Sequence, residues 1–169
     1  MIFGTVICLF AKRWPKFWTF ALCAAIPLAA GGLSALLTRG SMDDFAALNQ
    51  PPLAPPGWLF PIVWTILFIF MGTASYLVVT APTSPQADVG QSLWLYGMQL
   101  GVNFFWSIFF FNLSLYLFSF FWLLLLWGLI LATLLLFARI SKPAGLLLIP
   151  YLVWVTFAGY LNLGIYLLN

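Results

Sequence analysis

The sequence predicts an all-α integral membrane protein with five transmembrane helices. Only 5% of its 169 residues are charged, whereas soluble domains carry about 25%. Hydrophobic residues make up 64% of the chain and aromatic residues 20%. A soluble fold of this size could not cover its surface with so few charges, and disordered chains are far less apolar. Five apolar segments are long enough to cross the hydrocarbon layer, which takes about 20 residues.

The five segments predict the transmembrane helices in order. They cover residues 17–37, 58–80, 91–112, 115–137 and 144–168. Pro27 lies inside the first segment and Pro150 inside the fifth. Proline lacks the backbone N–H that a helix interior uses. We therefore expect Pro27 to break the first helix and Pro150 to bend the fifth.

Residues 1–16 read as a short apolar leader followed by a basic juxtamembrane segment. The leader is too short to span, and it lacks the charged start and small-residue cleavage site of a signal peptide. Basic residues favour the cytoplasmic side. With the N-terminus inside, Arg39 alone lies outside, and the inner side receives Lys12, Arg13, Lys16, Arg139 and Lys142. This bias predicts a multi-pass protein of a bacterial inner membrane with a cytoplasmic N-terminus.

The connection between the first two helices, residues 39–57, is the Pro-rich loop. Ser41 is a candidate N-cap for a short helix through Asn49, with Asp43 and Asp44 in its first turn. The four prolines that follow stiffen the chain. Loops of this length usually have a function or are disordered. We interpret it as a lid over one mouth of the bundle, and a simple spacer is the alternative.

The composition excludes most catalytic chemistry. The chain has no His, so it has no imidazole base, no Ser-His-Asp triad and no His ligand for zinc or haem. Cys8 and Cys23 lack metal-site spacing, and buried thiols are the simpler interpretation. All three acids lie in predicted loops. We therefore predict no catalytic residue, no metal site and, at a net charge of +3, no nucleic-acid partner.

Polar and small residues fall on particular helix faces. At 100° per residue, Gln99, Asn103 and Trp106 share one face of the third helix. Gly97 and Gly101 form a GxxxG pair on the other side, which favours a close helix contact, either between two subunits or inside the bundle. In the fifth helix Trp154, Ala158 and Asn162 repeat every four residues, with Leu161 beside them. These faces indicate either interhelical hydrogen bonding or an aromatic pocket with few polar points.

Three motifs in these helices resemble one family. They are PPGWLFPIVWT at residues 55–65 with MG at 71–72 and ASYLV at 74–78, then QLGVNFFW at 99–106, and PYLVWVTFA at 150–158 with LN at 161–162. In this order they resemble the translocator proteins, also called tryptophan-rich sensory proteins and, in animals, peripheral benzodiazepine receptors. The resemblance covers residues 17–169, nearly the whole chain.

The resemblance implies a compact bundle of five transmembrane helices, usually a homodimer. It implies binding of tetrapyrroles such as protoporphyrin IX and haem-type molecules, of sterols in animals, and of benzodiazepine-type ligands, with no obligatory cofactor. The implied pocket lies under the Pro-rich loop. Its residues would be Trp64, Phe68, Asn103, Trp106, Phe110, Trp154, Phe157, Ala158 and Leu161, with Leu53, Pro55 and Pro56 in the lid and Gly97 and Gly101 in the dimer contact.

The sequence departs from the family pattern at three places. Leu53 stands where Trp is frequent, and Phe68 replaces a common Tyr. No Lys or Arg follows Tyr166, although the proposed sterol-recognition pattern requires one. We therefore expect no sterol recognition through that segment.

Three functions follow as hypotheses. The first is binding of a porphyrin for transport, sensing or sequestration, with the aromatic residues stacking on the ligand and Asn103 orienting a polar edge. The second is light- or oxygen-dependent porphyrin degradation. The third is a ligand-regulated protein that interacts with other membrane proteins. Without inverted repeats or an internal ionisable group, alternating access is not predicted.

Overall fold

The computed structural model describes residues 15–41, 45, 47–82 and 86–169, with the side chains of residues 86 and 87 excepted. All regular structure in these ranges is helical. The helices are α1 (Lys16–Thr38), α2 (Leu59–Val79), α3 (Gln86–Ser107), α4 (Tyr116–Ile140), α5 (Lys142–Leu147) and α6 (Ile149–Leu168). The leader with Lys12 and Arg13, and the first turn of the loop helix with Asp43 and Asp44, lie outside the described residues.

The prediction that Pro27 breaks the first helix is wrong. Helix α1 continues through Pro27 from Lys16 to Thr38. A proline removes only one helical hydrogen bond, the one to the carbonyl of residue 23, and packing in a transmembrane bundle compensates for such a loss. Here α1 packs along α2 over much of its length.

The fifth apolar segment divides in two at Leu148. Pro150 lies in the first turn of α6, where a missing N–H costs nothing because that turn has no acceptor for it. The amide of Leu148 donates to the carbonyl of Gly145 at 3.0 Å and closes α5. The irregularity expected from Pro150 is thus a helix boundary two residues before it.

Helix α3 begins at Gln86, five residues before the predicted start, and ends in a π-helical turn, Ile108–Asn112. The prediction followed the apolar segment and therefore missed the polar first turn with Asp88. Helix α4 likewise runs to Ile140 instead of residue 137, because a helix continues into the headgroup region beyond its apolar part.

Helix α4 lies between α3 and α6 and runs antiparallel to both. At its start, the Tyr116 ring contacts Phe110 at the end of α3, and the Tyr116 carbonyl accepts a hydrogen bond from Asn162 near the end of α6. At its end, Phe137 contacts Tyr96 in the first half of α3. Helices α3 and α6 therefore run in the same direction.

Helices α1 and α2 come into close backbone contact at Gly72 of α2. A Cβ atom built on Gly72 would lie 2.6 Å from the Cα of Ala24 and 2.9 Å from the carbonyl oxygen of Cys23. Only glycine permits this distance. Gly72 thus sets the distance between the two helices.

The exposed surface of the helices is apolar, and four spans are long and apolar enough to cross a membrane: Lys16–Ser41, Leu59–Val79, Tyr116–Ile140 and Lys142–Leu168. Among the described residues, α3 is not one of these spans, since it carries Asp88, Gln91, Gln99 and Asn103. Gln99 and Asn103 are buried inside the bundle. The protein is a multi-pass, all-helical membrane protein.

Candidate ligand cavity

A cavity of about 150 Å³ lies between α1, α2 and α3, at the end of the bundle where α1 ends and α2 begins. Most of its surface is apolar and aromatic. Its lining residues are Ala30, Gly31, Ser34, Ala35 and Thr38 from α1, Phe60, Pro61, Trp64 and Phe68 from α2, and Leu100, Asn103, Phe104, Trp106, Ser107 and Phe111 from α3 and its π-helical turn.

Four of the predicted pocket residues line this cavity: Trp64, Phe68, Asn103 and Trp106. The three aromatic residues among them belong to two stacked ring pairs. Trp64 stacks on Phe68, with ring centroids 5.5 Å apart and planes at 29°. Trp106 stacks on Phe110 at 5.3 Å and 19°. Phe110 is buried behind Trp106 and does not line the cavity itself. Asn103, the fourth lining residue, supplies a polar group to the same cavity.

Small residues of α1 create the space. The Phe68 ring lies against Gly31, so that a Cβ atom at this position would overlap it. Gly31, Ser34 and Thr38 were not among the pocket residues predicted from the sequence. Their three- and four-residue spacing, which places them on one helix face, is the signal that identifies them.

The polar groups of the cavity differ in what they bind. The Thr38 hydroxyl donates to the backbone carbonyl of Ser34 at 3.0 Å. The Asn103 amide makes no hydrogen bond with a described residue, although the residue is buried. An amide can both donate and accept hydrogen bonds. Asn103 is therefore able to bind a polar atom of a ligand, as are the lining hydroxyls of Ser34 and Ser107.

Trp106 and Asn162 show the other predicted role, interhelical hydrogen bonding. The indole N–H of Trp106 donates to Asn162 Oδ1 at 3.3 Å, and Asn162 Nδ2 donates to the carbonyl of Tyr116 at 2.8 Å. These two bonds connect α3, α6 and α4. Asn162 is consequently a structural residue, whereas the Trp106 ring serves both the bundle and the cavity.

The predicted pocket residues of α6 do not line the cavity. Trp154 lies behind the cavity wall, with its ring 5.9 Å from that of Phe60. Phe157 follows at 5.7 Å from Trp154. Ala158 and Leu161 are buried in the bundle. Cavity and α6 are separated because α2 and α3, rather than α6, stand next to α1 at this end.

The Pro-rich loop is fixed mainly to α6. Pro51 packs against Gly164, where a Cβ atom would lie 2.6 Å from that of Pro51. The Tyr160 hydroxyl donates to the Pro52 carbonyl at 2.7 Å. Leu53 is 83% exposed and has a positive φ of 66°. None of Leu53, Pro55 and Pro56 lines the cavity, so their role as a lid stays a prediction.

Replacing Tyr160 by Phe is expected to loosen the loop. The change removes the hydrogen bond to Pro52, which contributes about 0.5–1.5 kcal/mol, and so raises the open population about 2- to 10-fold. Limited proteolysis in nanodiscs, following chymotrypsin cleavage after Leu53 by mass spectrometry, measures this population. Tyr166→Phe is the matched control, because the exposed Tyr166 hydroxyl makes no hydrogen bond with a described residue. Equal cleavage rates in both variants would contradict the prediction.

The sequence model of the TspO/MBR family matches residues 23–168, which is most of the chain. The chain belongs to the TspO/MBR family. It is 45% identical to the tryptophan-rich protein TspO of Chlorobaculum tepidum over 153 residues, covering 89% of this chain and 96% of the relative. It is 36% identical to the translocator protein of Bos taurus, over 81% and 82% of the two chains. It is 33% identical to the tryptophan-rich sensory protein of Cereibacter sphaeroides, over 92% of both.

In this TspO/MBR family member, the predicted dimer contact lies on an open groove between α1 and α3. Gly97 and Gly101 line it, and a Cβ atom on Gly101 would meet nothing within 4 Å. Ala30, Leu100 and Phe104 line both this groove and the cavity. One layer of side chains therefore separates the cavity from the outer face of the bundle.

The cavity can bind, stack and orient a ligand. Its lining residues carry no titratable side chain, and the described part of the chain contains no cluster of His, Cys, Asp and Glu that could hold a metal ion. Stacking on indole and phenyl rings favours a flat aromatic ligand. An apolar, aromatic lining with few polar groups is typical of small-molecule sites.

Proposed function

We propose that this TspO/MBR family member binds flat, apolar aromatic molecules, with tetrapyrroles such as protoporphyrin IX as the ligand class, in the cavity between α1, α2 and α3. The stacked pairs Trp64–Phe68 and Trp106–Phe110, together with the Asn103 amide in the lining of the same cavity, are the observation that supports this proposal. The rings supply contact area, and Asn103 fixes the orientation of a polar edge.

A tetrapyrrole requires more space than the cavity offers in this form. Pockets for drug-sized ligands measure about 300–1,000 Å³, against about 150 Å³ here. The wall of Ala30, Leu100 and Phe104 separates the cavity from the outer groove. Rotation of the Phe104 ring would join the two spaces, so a large ligand would occupy both. Single-ring ligands would fit the cavity alone.

Binding, rather than conventional acid–base or metal-assisted catalysis, is the proposed activity, because the lining residues supply no general acid, base or nucleophile of perturbed pKa. Relatives are named translocator and sensory proteins. We propose that bound porphyrin is transported, sensed or sequestered here, without an obligatory cofactor. Porphyrin loss in the dark, with product formed at a constant protein concentration, would instead support degradation.

The proposed topology has five transmembrane segments, namely the four spans given above and α3, which is the third in chain order. Helix α3 has 22 residues and so spans about 33 Å, enough for the hydrocarbon layer. It packs between α1 and α4, both of which qualify as spans. Its polar residues Gln99 and Asn103 face inward. The basic residues then favour a cytoplasmic N-terminus in a bacterial inner membrane.

A homodimer through the groove of Gly97 and Gly101 is the proposed assembly. Small residues at a four-residue spacing let two helix backbones approach closely, and this face of α3 is not covered by another described helix. A second copy on this face would lie beside the shared wall of the cavity and would contact the part of a large ligand that extends through this wall into the groove. The lipid bilayer and a porphyrin complete the proposed partners.

Equilibrium dialysis of protoporphyrin IX against the protein in nanodiscs tests the proposal. We expect saturable binding, weakened about 5- to 10-fold by Asn103→Leu, because one hydrogen bond contributes about 1 kcal/mol. Ala158→Leu, outside the cavity, serves as the comparison, with folding of each variant checked by its Tm. Non-saturable partitioning, or stronger weakening by Ala158→Leu than by Asn103→Leu in folded protein, would contradict the cavity as the site.

A further inference from the structure

Among the described residues, three polar side chains lie fully inside the bundle without a hydrogen-bond partner. Gln99 is 0% exposed, Tyr96 1% and Tyr151 0%. Neither amide atom of Gln99, nor the hydroxyl of Tyr96 or Tyr151, meets a partner in the described part of the chain. The Ser75 hydroxyl, which donates to the Gly72 carbonyl at 2.9 Å, lies near the Tyr96 side chain but does not meet its hydroxyl with hydrogen-bond geometry. This group, Tyr96, Gln99 and Tyr151, is called the core polar cluster below.

Helix register places the core polar cluster at one level of the bundle. The bond from Trp106 to Asn162 fixes residue 106 of α3 opposite residue 162 of α6. The two helices run in the same direction and rise about 1.5 Å per residue. Ten residues back along both, Tyr96 is therefore level with residue 152 and within one residue of Tyr151. Gln99 is level with residue 155, beside the Trp154 indole N–H, which also lacks a partner among the described residues.

The chemistry of the core polar cluster indicates its partner. The two phenols, the amide and the indole together offer five N–H or O–H donors, and the oxygen atoms of the phenols and the amide also accept hydrogen bonds. No charged residue of the described chain is buried in this core, so an anion would find no compensation there. In hydrocarbon, lipid supplies no hydrogen bonds to these groups. A small neutral molecule that both accepts and donates hydrogen bonds is the matching ligand, and water has that chemistry.

We infer that the core polar cluster is a buried water-binding site that joins α3 to α6, at a level nearer the start of α3 than the ligand cavity. In the described residues, α3 and α6 are not among the helix pairs in extended contact, so bridging waters would supply hydrogen bonds between them at this level. The Tyr151 ring also contacts Trp64 of the cavity wall, with centroids 6.0 Å apart. Tyr151 of this site thus packs against Trp64, one of the stacking residues of the cavity. This inference does not depend on the identity of the cavity ligand.

A double-mutant cycle on Gln99 and Tyr151 tests the inference. Gln99→Met and Tyr151→Phe each remove the polar atoms with little change of shape. If waters bind both groups, each variant lowers the Tm by about 3 °C or more, since the remaining groups lose their partner. The double variant then lowers it by less than the sum, because both groups share the same waters. Tyr166→Phe, on the exposed surface, is the control with an unchanged Tm.

Water-edited solid-state NMR of the protein in lipid gives the direct measurement. We expect polarisation transfer from water to the Gln99 side-chain nitrogen as fast as to exposed amides, and slower transfer in Tyr151→Phe. Two results would overturn the inference. One is a Tm that stays or rises in Gln99→Met and Tyr151→Phe, as when an unsatisfied polar atom is removed. The other is additive Tm losses with no transfer from water to Gln99.

Discussion

Ser34→Phe in α1 is expected to abolish ligand binding to the cavity. Ser34 is a buried lining residue opposite the aromatic walls of α2 and α3. A cavity of about 150 Å³ is the size that one benzene ring fills. The added phenyl ring therefore takes the position of the ligand and covers Asn103. We expect the affinity for protoporphyrin IX to fall at least about 100-fold, equivalent to about 2.7 kcal/mol.

The matched control for Ser34→Phe is Leu36→Phe, the same new side chain two positions further along α1. Leu36 is 70% exposed and lines neither the cavity nor the outer groove. Its substitution is expected to leave affinity within about 3-fold of wild type, well below the 1.4 kcal/mol of a tenfold change. Equilibrium dialysis, together with the Tm of each variant, provides the measurement. Binding retained in folded Ser34→Phe would place the ligand elsewhere in the bundle.

Gly72→Ala in α2 is expected to produce the largest loss of stability. The new methyl group would lie 2.6 Å from the Cα of Ala24 and 2.9 Å from the carbonyl oxygen of Cys23. Both atoms belong to the α1 backbone, so no side-chain rotation relieves the overlap, and the helices must separate. Overpacking of this kind costs about 1–3 kcal/mol, which corresponds to a Tm decrease of about 3–10 °C in a chain of this length.

Gly128→Ala in α4 is the control for the glycine change itself. A Cβ atom at Gly128 would meet nothing within 4 Å, so the substitution keeps the helix-propensity gain of up to about 1 kcal/mol without an overlap. Unfolding is followed by the reaction of a thiol-specific fluorophore with the buried Cys23, in a Cys8→Ser background. A Tm for Gly72→Ala equal to or above that of Gly128→Ala would show that α1 and α2 are not fixed by this contact.

The sequence predictions about helix faces that the structure confirms were based on helix periodicity. The shared face of Gln99, Asn103 and Trp106 is buried, and Gly97 and Gly101 lie toward an outer groove. Both statements depend only on the 100° rotation per residue. The same periodicity could not tell that Trp106 pairs with Asn162 while Asn103 has no hydrogen-bond partner among the described residues. Which of the two side chains finds a partner depends on the relative register of α3 and α6, whose residues 106 and 162 are 56 positions apart in the chain.

The sequence by itself determined that this protein is helical, crosses the membrane several times and belongs with the tryptophan-rich proteins, because segment length and apolar composition decide insertion locally. Only the tertiary structure decided that α1 stays continuous at Pro27, that Gly72 sets the α1–α2 distance, and that the cavity lies against Gly31 and Ser34 rather than Ala158. In a membrane, lipid and helix surfaces are equally apolar, so hydrophobicity does not select helix partners. Close packing and hydrogen bonds select them, and both depend on residues distant in the chain.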